Sequence, residues 1–152
     1  MATVEMSFTP LPAHVRTARL VATAVARRSG VDEALLDEVR LAVGEACSRA
    51  VEAHQLHCPG EPVRVALTGT RERFEVVVSD CAAGEGHGGA AAGQEPGKQA
   101  AANGTGQETA VLPQELGLAV IAGLADDVEI ARTDEGLSIR MSWPSAAAVA
   151  AR

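Results

Sequence analysis

Short stretches in which apolar and polar residues alternate mark the strands of this chain. Such alternation predicts a strand because successive side chains of an extended chain point to opposite faces of a sheet. Prolines stop the first stretch, and the last two form a hairpin around Asp134-Glu135-Gly136. The predicted strands comprise Val4 to Phe8, Val63 to Leu67, Phe74 to Val78, Val128 to Ala131 and Leu137 to Trp143.

Two helices are predicted between the first and second strands. The first covers residues 13–28, and Gly30 is suited to end it. Its apolar positions recur at helical spacing and are Val15, Ala18, Ala22 and Val25. The second helix is predicted from about Asp32 to Ala53. Its apolar face consists of Leu35, Val39, Ala42, Ala46 and Ala50.

Residues 82–109 have a different composition from the rest of the chain. They are dominated by Ala and Gly and contain no Val, Ile, Leu or aromatic residue. Such a segment gains little from burial to offset the entropy of ordering it. Because both flanks belong to one α/β pattern, we predict a single domain over residues 1–152 with a flexible lid or insertion at about 82–109.

Length and charge exclude several classes of protein. The chain has 152 residues and a net charge of -7, which suits one domain with one core. The acidic balance argues against direct nucleic-acid binding, because phosphate neutralisation needs clustered Lys and Arg. No apolar run approaches the roughly 18 residues of a membrane span, and no signal pattern opens the chain. We therefore expect no membrane segment and a cytoplasmic location.

The cysteines and histidines predict neither a disulfide nor a metal site. Cys47, Cys58 and Cys81 form an odd, sparse set without a Cys-x-x-Cys pair, so no disulfide framework is expected. His54, His57 and Cys58 lie within five residues, but no second ligand pair follows at zinc-site spacing. We predict a polar loop after the helix here.

Glu45 and Arg49 are separated by one helical turn and therefore project to the same patch. A carboxylate and a neutral amide at this spacing could position a hydroxyl nucleophile beside a metal-bound phosphate. A guanidinium would instead oppose a divalent cation, although it could bind a phosphate oxygen. The alternative is an ordinary i,i+4 ion pair that stabilises the helix by roughly 0.3–0.5 kcal/mol.

The run Glu45-Ala46-Cys47-Ser48-Arg49-Ala50-Val51 resembles the first ATP-site helix of the anti-sigma factor serine/threonine-protein kinases, which belong to the GHKL (Bergerat) ATPase group. That helix carries Glu-Ala-Cys-Thr-Asn-Ala-Val. The resemblance implies that Glu45 acts as the general base. It also implies that Arg49 stands where the family has the Asn that coordinates magnesium.

The second nucleotide motif of that family is Asp-x-Gly after a hydrophobic strand, and this chain has Asp80-Cys81-Ala82-Ala83-Gly84. The resemblance implies that Asp80 accepts a hydrogen bond from the adenine amine and that Gly84 lies near the nucleotide. Ala82 replaces the first glycine and restricts positive φ. Alternatively, Asp80 is a turn-forming residue at the end of a strand.

The third motif is a glycine-rich turn that opens the helix after the lid, and here it reads Gln114-Glu115-Leu116-Gly117-Leu118. Gly117 and Leu118 match the family. Glu115 places a carboxylate where phosphate oxygens would lie, and two like charges ~4 Å apart cost about 1 kcal/mol even in water. Alternatively, Glu115 complements the positive end of the helix dipole.

The resemblance extends from Glu5 to about Trp143 and implies an α+β fold. This fold is a two-layer α/β sandwich, in which a mixed β-sheet is covered on one face by helices. The segment at 82–109 corresponds to the family's ATP lid. ATP and Mg²⁺ would be the cofactors, but Arg49, Ala82 and Glu115 each weaken that expectation, and we predict no bound metal.

The resemblance also implies a function. We expect a transcription regulator that binds a sigma factor, an anti-anti-sigma factor or both, with weak or absent kinase activity. One alternative is a working kinase that phosphorylates the anti-anti-sigma factor. Another is a sensor of a different phosphate-bearing ligand, anchored by Arg49. Members of this family commonly form homodimers; Val4, Met6 and Phe8 could serve a homodimer or, as we prefer, the core.

Overall fold

The computed structural model describes residues 2–81, 114–134 and 136–145, with side chains from residue 3 and, in the last helix, from residue 117. The predicted lid, including Ala82 and Gly84, lies outside the described residues. The strands are β1 (Ala2–Phe8), β2 (Val63–Gly69), β3 (Arg73–Ser79), β4 (Asp127–Thr133) and β5 (Gly136–Pro144). The helices are α1 (Pro12–Arg28), a 3₁₀ turn (Glu33–Leu35), α2 (Leu36–His57) and α3 (Gln114–Leu124).

The five strands form one sheet in the order β1-β2-β3-β5-β4, which confirms the predicted α+β sandwich. One detail differs from the expected mixed sheet, because each of the four pairings among the described strands is antiparallel. β3 and β4 run in the same direction, as strands joined through a helix often do. They are not neighbours, because β5 turns back from β4 and lies between them.

One face of the sheet is apolar and the other is polar. Val65, Val78 and Ile139 occupy one row across β2, β3 and β5, and all three are buried. The helices pack on this side, where α2 contacts β2, β3 and β5. The opposite side carries charges such as Arg140, whose guanidinium lies 2.9 Å from the Glu129 carboxylate. Covering one face buries the alternating Val, Leu and Ile side chains and explains the layered arrangement.

Helix α2 continues beyond its predicted end at Ala53 and reaches His57. The prediction of a polar loop was therefore wrong for His54 and His57. His54 is buried, at 1% exposure, and its contacts with other elements stabilise the last turn of the helix. The boundary between α1 and α2 was predicted well, since Gly30 follows α1 with a φ of 95° and Asp32 caps the 3₁₀ turn.

The last strand anchors the end of α3. The indole N–H of Trp143 donates a hydrogen bond to the carbonyl of Leu124 at 3.1 Å, and the ring stacks on Phe74 with centroids 6.2 Å apart. Both rings are fully buried. This contact fixes the direction of α3 relative to the sheet, and so it positions the beginning of that helix as well.

At the other edge of the sheet, β1 pairs only with β2 among the described strands. Met6 and Phe8 are partly buried against the core, while Val4 remains 39% exposed. The preferred role in core packing is thus observed for Met6 and Phe8 and is wrong for Val4, and the homodimer stays a prediction. Within the described chain, no helix is long and apolar enough to cross a membrane.

Candidate functional site

Helices α2 and α3 come into contact at Glu45 and Gly117. A Cβ atom added at Gly117 would lie 2.7 Å from Oε2 of Glu45 and 3.9 Å from Cδ of Arg49. Gly117 is buried and Glu45 is partly buried. The structure therefore brings together the two predicted residues of the first motif and the glycine of the third. The Glu45 carboxylate can occupy this position because Gly117 has no side chain.

Arg49 is a partly buried cation within a group of charges. Burial lowers the pKa of its guanidinium below the ordinary value, the nearby charge of Asp80 opposes this most strongly, and Arg132 adds to the lowering. The carboxylates of Glu45 and Glu52 also favour the charged form of Arg49. Because an arginine keeps its proton at neutral pH, the site contains a fixed positive charge that is attracted by three carboxylates and repelled by Arg132.

Asp80 is held by the beginning of β5. Its backbone N–H donates to the carbonyl of Leu137 at 2.9 Å, and its Oδ1 accepts from the backbone N–H of Leu137 at 3.2 Å. These hydrogen bonds pair Asp80 with a distant strand and form no local turn, so they differ from the turn-forming role that the sequence left open as an alternative. Together with its attraction to Arg49, the hydrogen bond orients the Asp80 carboxylate within the protein.

Gly136 makes this arrangement sterically feasible. Its φ is +154°, and a Cβ atom there would fall 1.6 Å from the carbonyl oxygen of Asp80. A backbone oxygen cannot move away as the end of a long side chain can. The β4–β5 hairpin therefore needs glycine at this position so that it can approach the end of β3.

The remaining predicted site residues are less informative. Leu118 is partly buried and packs against the core, as a residue in the first turns of α3 would. Glu115 lies in α3, but its side chain is outside the described residues. Ala82 and Gly84 lie wholly outside the described residues. The predictions for these three residues stay predictions.

Three residues that the sequence did not assign to any site form a cluster beside Asp80. Cys58, at the C-terminal end of α2, is joined by a disulfide to Cys81, which follows Asp80 directly. The expectation of no disulfide was therefore wrong. Buried His54 lies against both, and the donor atoms of the three residues are all within 4.8 Å of one another. Only folding brings the end of α2 to the end of β3, so spacing along the chain could not reveal this group.

The side chain of Arg49 itself does not suit magnesium. Mg²⁺ needs an octahedral set of oxygen ligands, and Arg49 supplies no oxygen while it contributes a repelling charge of its own. Glu45 could still take a proton from a hydroxyl, and Arg49 could still attract a phosphate. The arrangement thus retains groups that bind and orient a ligand, and it lacks the amide that would hold a metal next to Glu45.

Comparison with known proteins agrees with the fold. A family model described as a histidine kinase-like ATPase domain matches residues 8–143. The match includes the whole of α2, the end of β3 and all of α3. No curated protein matches the chain.

Proposed function

The chain belongs to the histidine kinase-like ATPase domain family, and we propose that it is a transcription regulator that acts by binding. Its partner would be a sigma factor, an anti-anti-sigma factor or both, and its kinase activity would be weak or absent. The family membership supports a kinase-like regulator in general. The observation that carries the more specific proposal is the position of Arg49, a partly buried cation among Glu45, Asp80 and Glu52.

Arg49 changes what the site can do in two ways. Phosphoryl transfer in ATP-dependent enzymes depends on divalent metal ions that neutralise charge developing on the phosphates. A fixed guanidinium next to Glu45 repels such an ion, and it already compensates the neighbouring carboxylates.

The overall charge favours a protein partner over nucleic acid. A net charge of -7 repels DNA phosphates, so control of transcription would have to act through another protein. A protein partner that presents a basic surface would have the complementary charge. Charge complementarity of this kind would speed encounter, and it would make binding weaker at higher salt.

Titration with ATP, with and without magnesium, distinguishes the proposed function from its alternatives. We expect neither condition to give tight binding. Magnesium-dependent binding would support the working kinase instead, and tight metal-independent binding would support a sensor anchored by Arg49. Isothermal titration calorimetry on the full chain measures all three outcomes directly.

Transfer of labelled phosphate tests catalysis separately from binding. The protein is incubated with labelled ATP and with partner proteins captured from its native cytoplasm and identified by mass spectrometry. We expect no labelled partner, and we expect Glu45→Gln to repress sigma-dependent transcription as well as wild type does. Glu38→Gln, on the same helix, is the matched control.

A correctly positioned general base typically accelerates a reaction by about 10²–10⁴-fold. If wild-type protein labels a partner serine and Glu45→Gln does not, while Glu38→Gln does, the chain is a kinase and the proposal fails. A captured set of proteins that contains neither a sigma factor nor an anti-anti-sigma factor would refute the proposed partners.

A further inference from the structure

The cluster of His54, Cys58 and Cys81 joins three parts of the fold. His54 lies in the last turns of α2, Cys58 follows the end of that helix, and Cys81 follows β3. Cys58 and Cys81 are partly exposed, whereas His54 is buried. The cluster is therefore accessible from one side and enclosed on the other. His54 and Cys58 lie outside the nucleotide motifs discussed above, and Cys81 occupies the variable position of the second motif, to which no role was assigned.

The hydrogen bonds of His54 define which ring nitrogen carries its proton. The backbone N–H of Cys81 points to Nε2 at 3.1 Å, and an N–H can only donate, so Nε2 is the acceptor. Nδ1 lies 2.9 Å from the carbonyl oxygen of Glu61 and donates to it. Histidines that bind metals typically have this arrangement, with one N–H held by a backbone carbonyl and the other nitrogen available as a ligand.

We propose that, once the disulfide is reduced, His54 Nε2 and the thiolates of Cys58 and Cys81 bind one zinc ion. A dithiol reductant supplies two electrons and two protons, the S–S bond breaks, and the reductant becomes a disulfide. Zinc then displaces the two thiol protons. In the oxidised form, the Nε2 lone pair accepts a hydrogen bond from the Cys81 N–H. In the zinc form, the same lone pair would coordinate the metal instead.

The geometry suits one ion. Zn–S and Zn–N bonds are about 2.3 Å and 2.0–2.1 Å long, so two ligand atoms of one ion are separated by at most about 4.6 Å. One ring nitrogen of His54 and the two sulfurs already lie within 4.8 Å of one another. Cys81 Sγ lies 3.8 Å from Nδ1, so binding through Nε2 requires the imidazole and the two sulfurs to move once the S–S bond has opened. Two thiolates and an imidazole form a set that selects zinc over magnesium or calcium. A fourth position remains for water.

Both forms of the cluster link the end of α2 to the residue after Asp80. Disulfides are rare in reducing compartments, where zinc would preserve the same link without an S–S bond. Oxidation and metal binding exclude each other, because each uses both sulfurs. This inference does not depend on the proposed function, since it involves different residues and a different ligand.

Cobalt titration of the reduced full chain tests the proposal. The protein is reduced with a phosphine, freed of reductant under argon and titrated with Co²⁺, which reports ligand type by absorption. We expect one equivalent to bind with sulfur-to-cobalt charge-transfer bands and the visible bands of a tetrahedral site. Zn²⁺ should displace it stoichiometrically. Oxidised protein should show none of these bands.

Variants identify the ligands. Cys58→Ser and Cys81→Ser should each lose about half of the charge-transfer intensity and weaken binding at least about tenfold. Cys47→Ala and His57→Gln, which alter a buried cysteine and an exposed histidine outside the cluster, should bind as wild type does. Absence of the charge-transfer bands in reduced wild type would overturn the proposal. So would full binding by the Cys58→Ser, Cys81→Ser double variant.

Discussion

Gly117 on α3 lies directly against the carboxylate of Glu45 on α2, with no room between them for a methyl group in the present arrangement. A Cβ atom at Gly117 would be 2.7 Å from Glu45 Oε2. The contact joins the two helices through the one acidic residue that matches a general base. The position of Glu45 therefore depends on a residue that lies about seventy positions later in the chain.

Replacing Gly117 with Ala should displace the Glu45 side chain. Ala normally stabilises a helix by about 1 kcal/mol relative to Gly, but here the added methyl meets Oε2, so we expect little or no gain. Gly123→Ala on the same helix is the control, because nothing lies within 4 Å of a Cβ there. Urea unfolding should show Gly123→Ala to be the more stable variant. A Gly117→Ala protein stabilised just as much would contradict the observed contact.

Replacing Arg49 with Asn should raise the affinity for ATP in the presence of magnesium. The change removes a positive charge and supplies an amide oxygen that can ligate the metal. We expect at least about a tenfold gain, or ~1.4 kcal/mol, most clearly together with Glu115→Gly. Arg40→Asn, an arginine on the same helix paired with Asp37, should leave affinity unchanged. Unaltered binding by the Arg49→Asn, Glu115→Gly double variant in calorimetry would remove the proposed cause.

Loss of the Cys58–Cys81 disulfide should destabilise the oxidised, metal-free protein. The bond closes a loop with a sequence separation of 23 residues, for which a cost of about 2–4 kcal/mol in unfolding free energy is typical. The Cys58→Ser, Cys81→Ser variant should unfold at lower urea concentration than wild type, in a buffer with chelator. Wild type treated with a reductant should match the variant. Equal stability of oxidised and reduced wild type would show that the bond does not constrain the chain.

Stability should fall as the pH rises above about 9 because of Cys47. Burial raises the pKa of this thiol from 9.0 to about 12, and Arg19 opposes the shift. Above pH 9.0 the unfolded state releases the proton while the folded state keeps it, so the unfolded state gains about 1.4 kcal/mol for each pH unit up to the folded pKa. Below pH 9 the contribution is fully present.

The measurement compares urea unfolding of wild type and Cys47→Ala across this pH range. The difference in unfolding free energy between them should be constant below pH 9. Above pH 9, wild type should lose stability relative to the Ala variant. The other two cysteines do not titrate in the oxidised protein, because they form the disulfide. A difference that stays constant up to pH 11 would mean that the thiol ionises freely in the folded state.

The residue pattern predicted the five strands and the first two helices well, because alternation and helical spacing follow directly from which side chains are buried. Helix α3 was expected only from the family resemblance. Val63, Val65 and Leu67 alternate in the sequence and are all buried in β2. The end of α2 was missed, since residues 54–57 offer no apolar pattern and the helix is held there by the contacts of one buried His54. Local patterns record burial on one face, but they do not record hydrogen bonds to distant elements.

The site was only partly predictable for the same reason. Glu45 and Arg49 lie one turn apart, so helical spacing alone places them together. Two further charged residues that act on Arg49 are Asp80, which follows β3, and Arg132, which lies in β4. Only the packing of the sheet against α2 brings their charges to Arg49. The pairing of Cys58 with Cys81 was hidden likewise, because nothing in their sequence separation distinguishes this pair from the alternatives with Cys47.

Strand β5 is the last described element in the chain, yet it lies inside the sheet between β3 and β4. During synthesis, the edge of β3 therefore stays open until residues 136–144 have emerged, and the sheet can close only late. Ser79 pairs with Ser138, so the pairing of β5 with β3 must bring together the two ends of residues 80–137. The entropic cost of such closure grows only with the logarithm of length, by about 0.6 kcal/mol per doubling. Evolution could thus lengthen or shorten residues 82–109 at little thermodynamic cost, while any truncation that removed β5 would leave a sheet prone to pair with other chains.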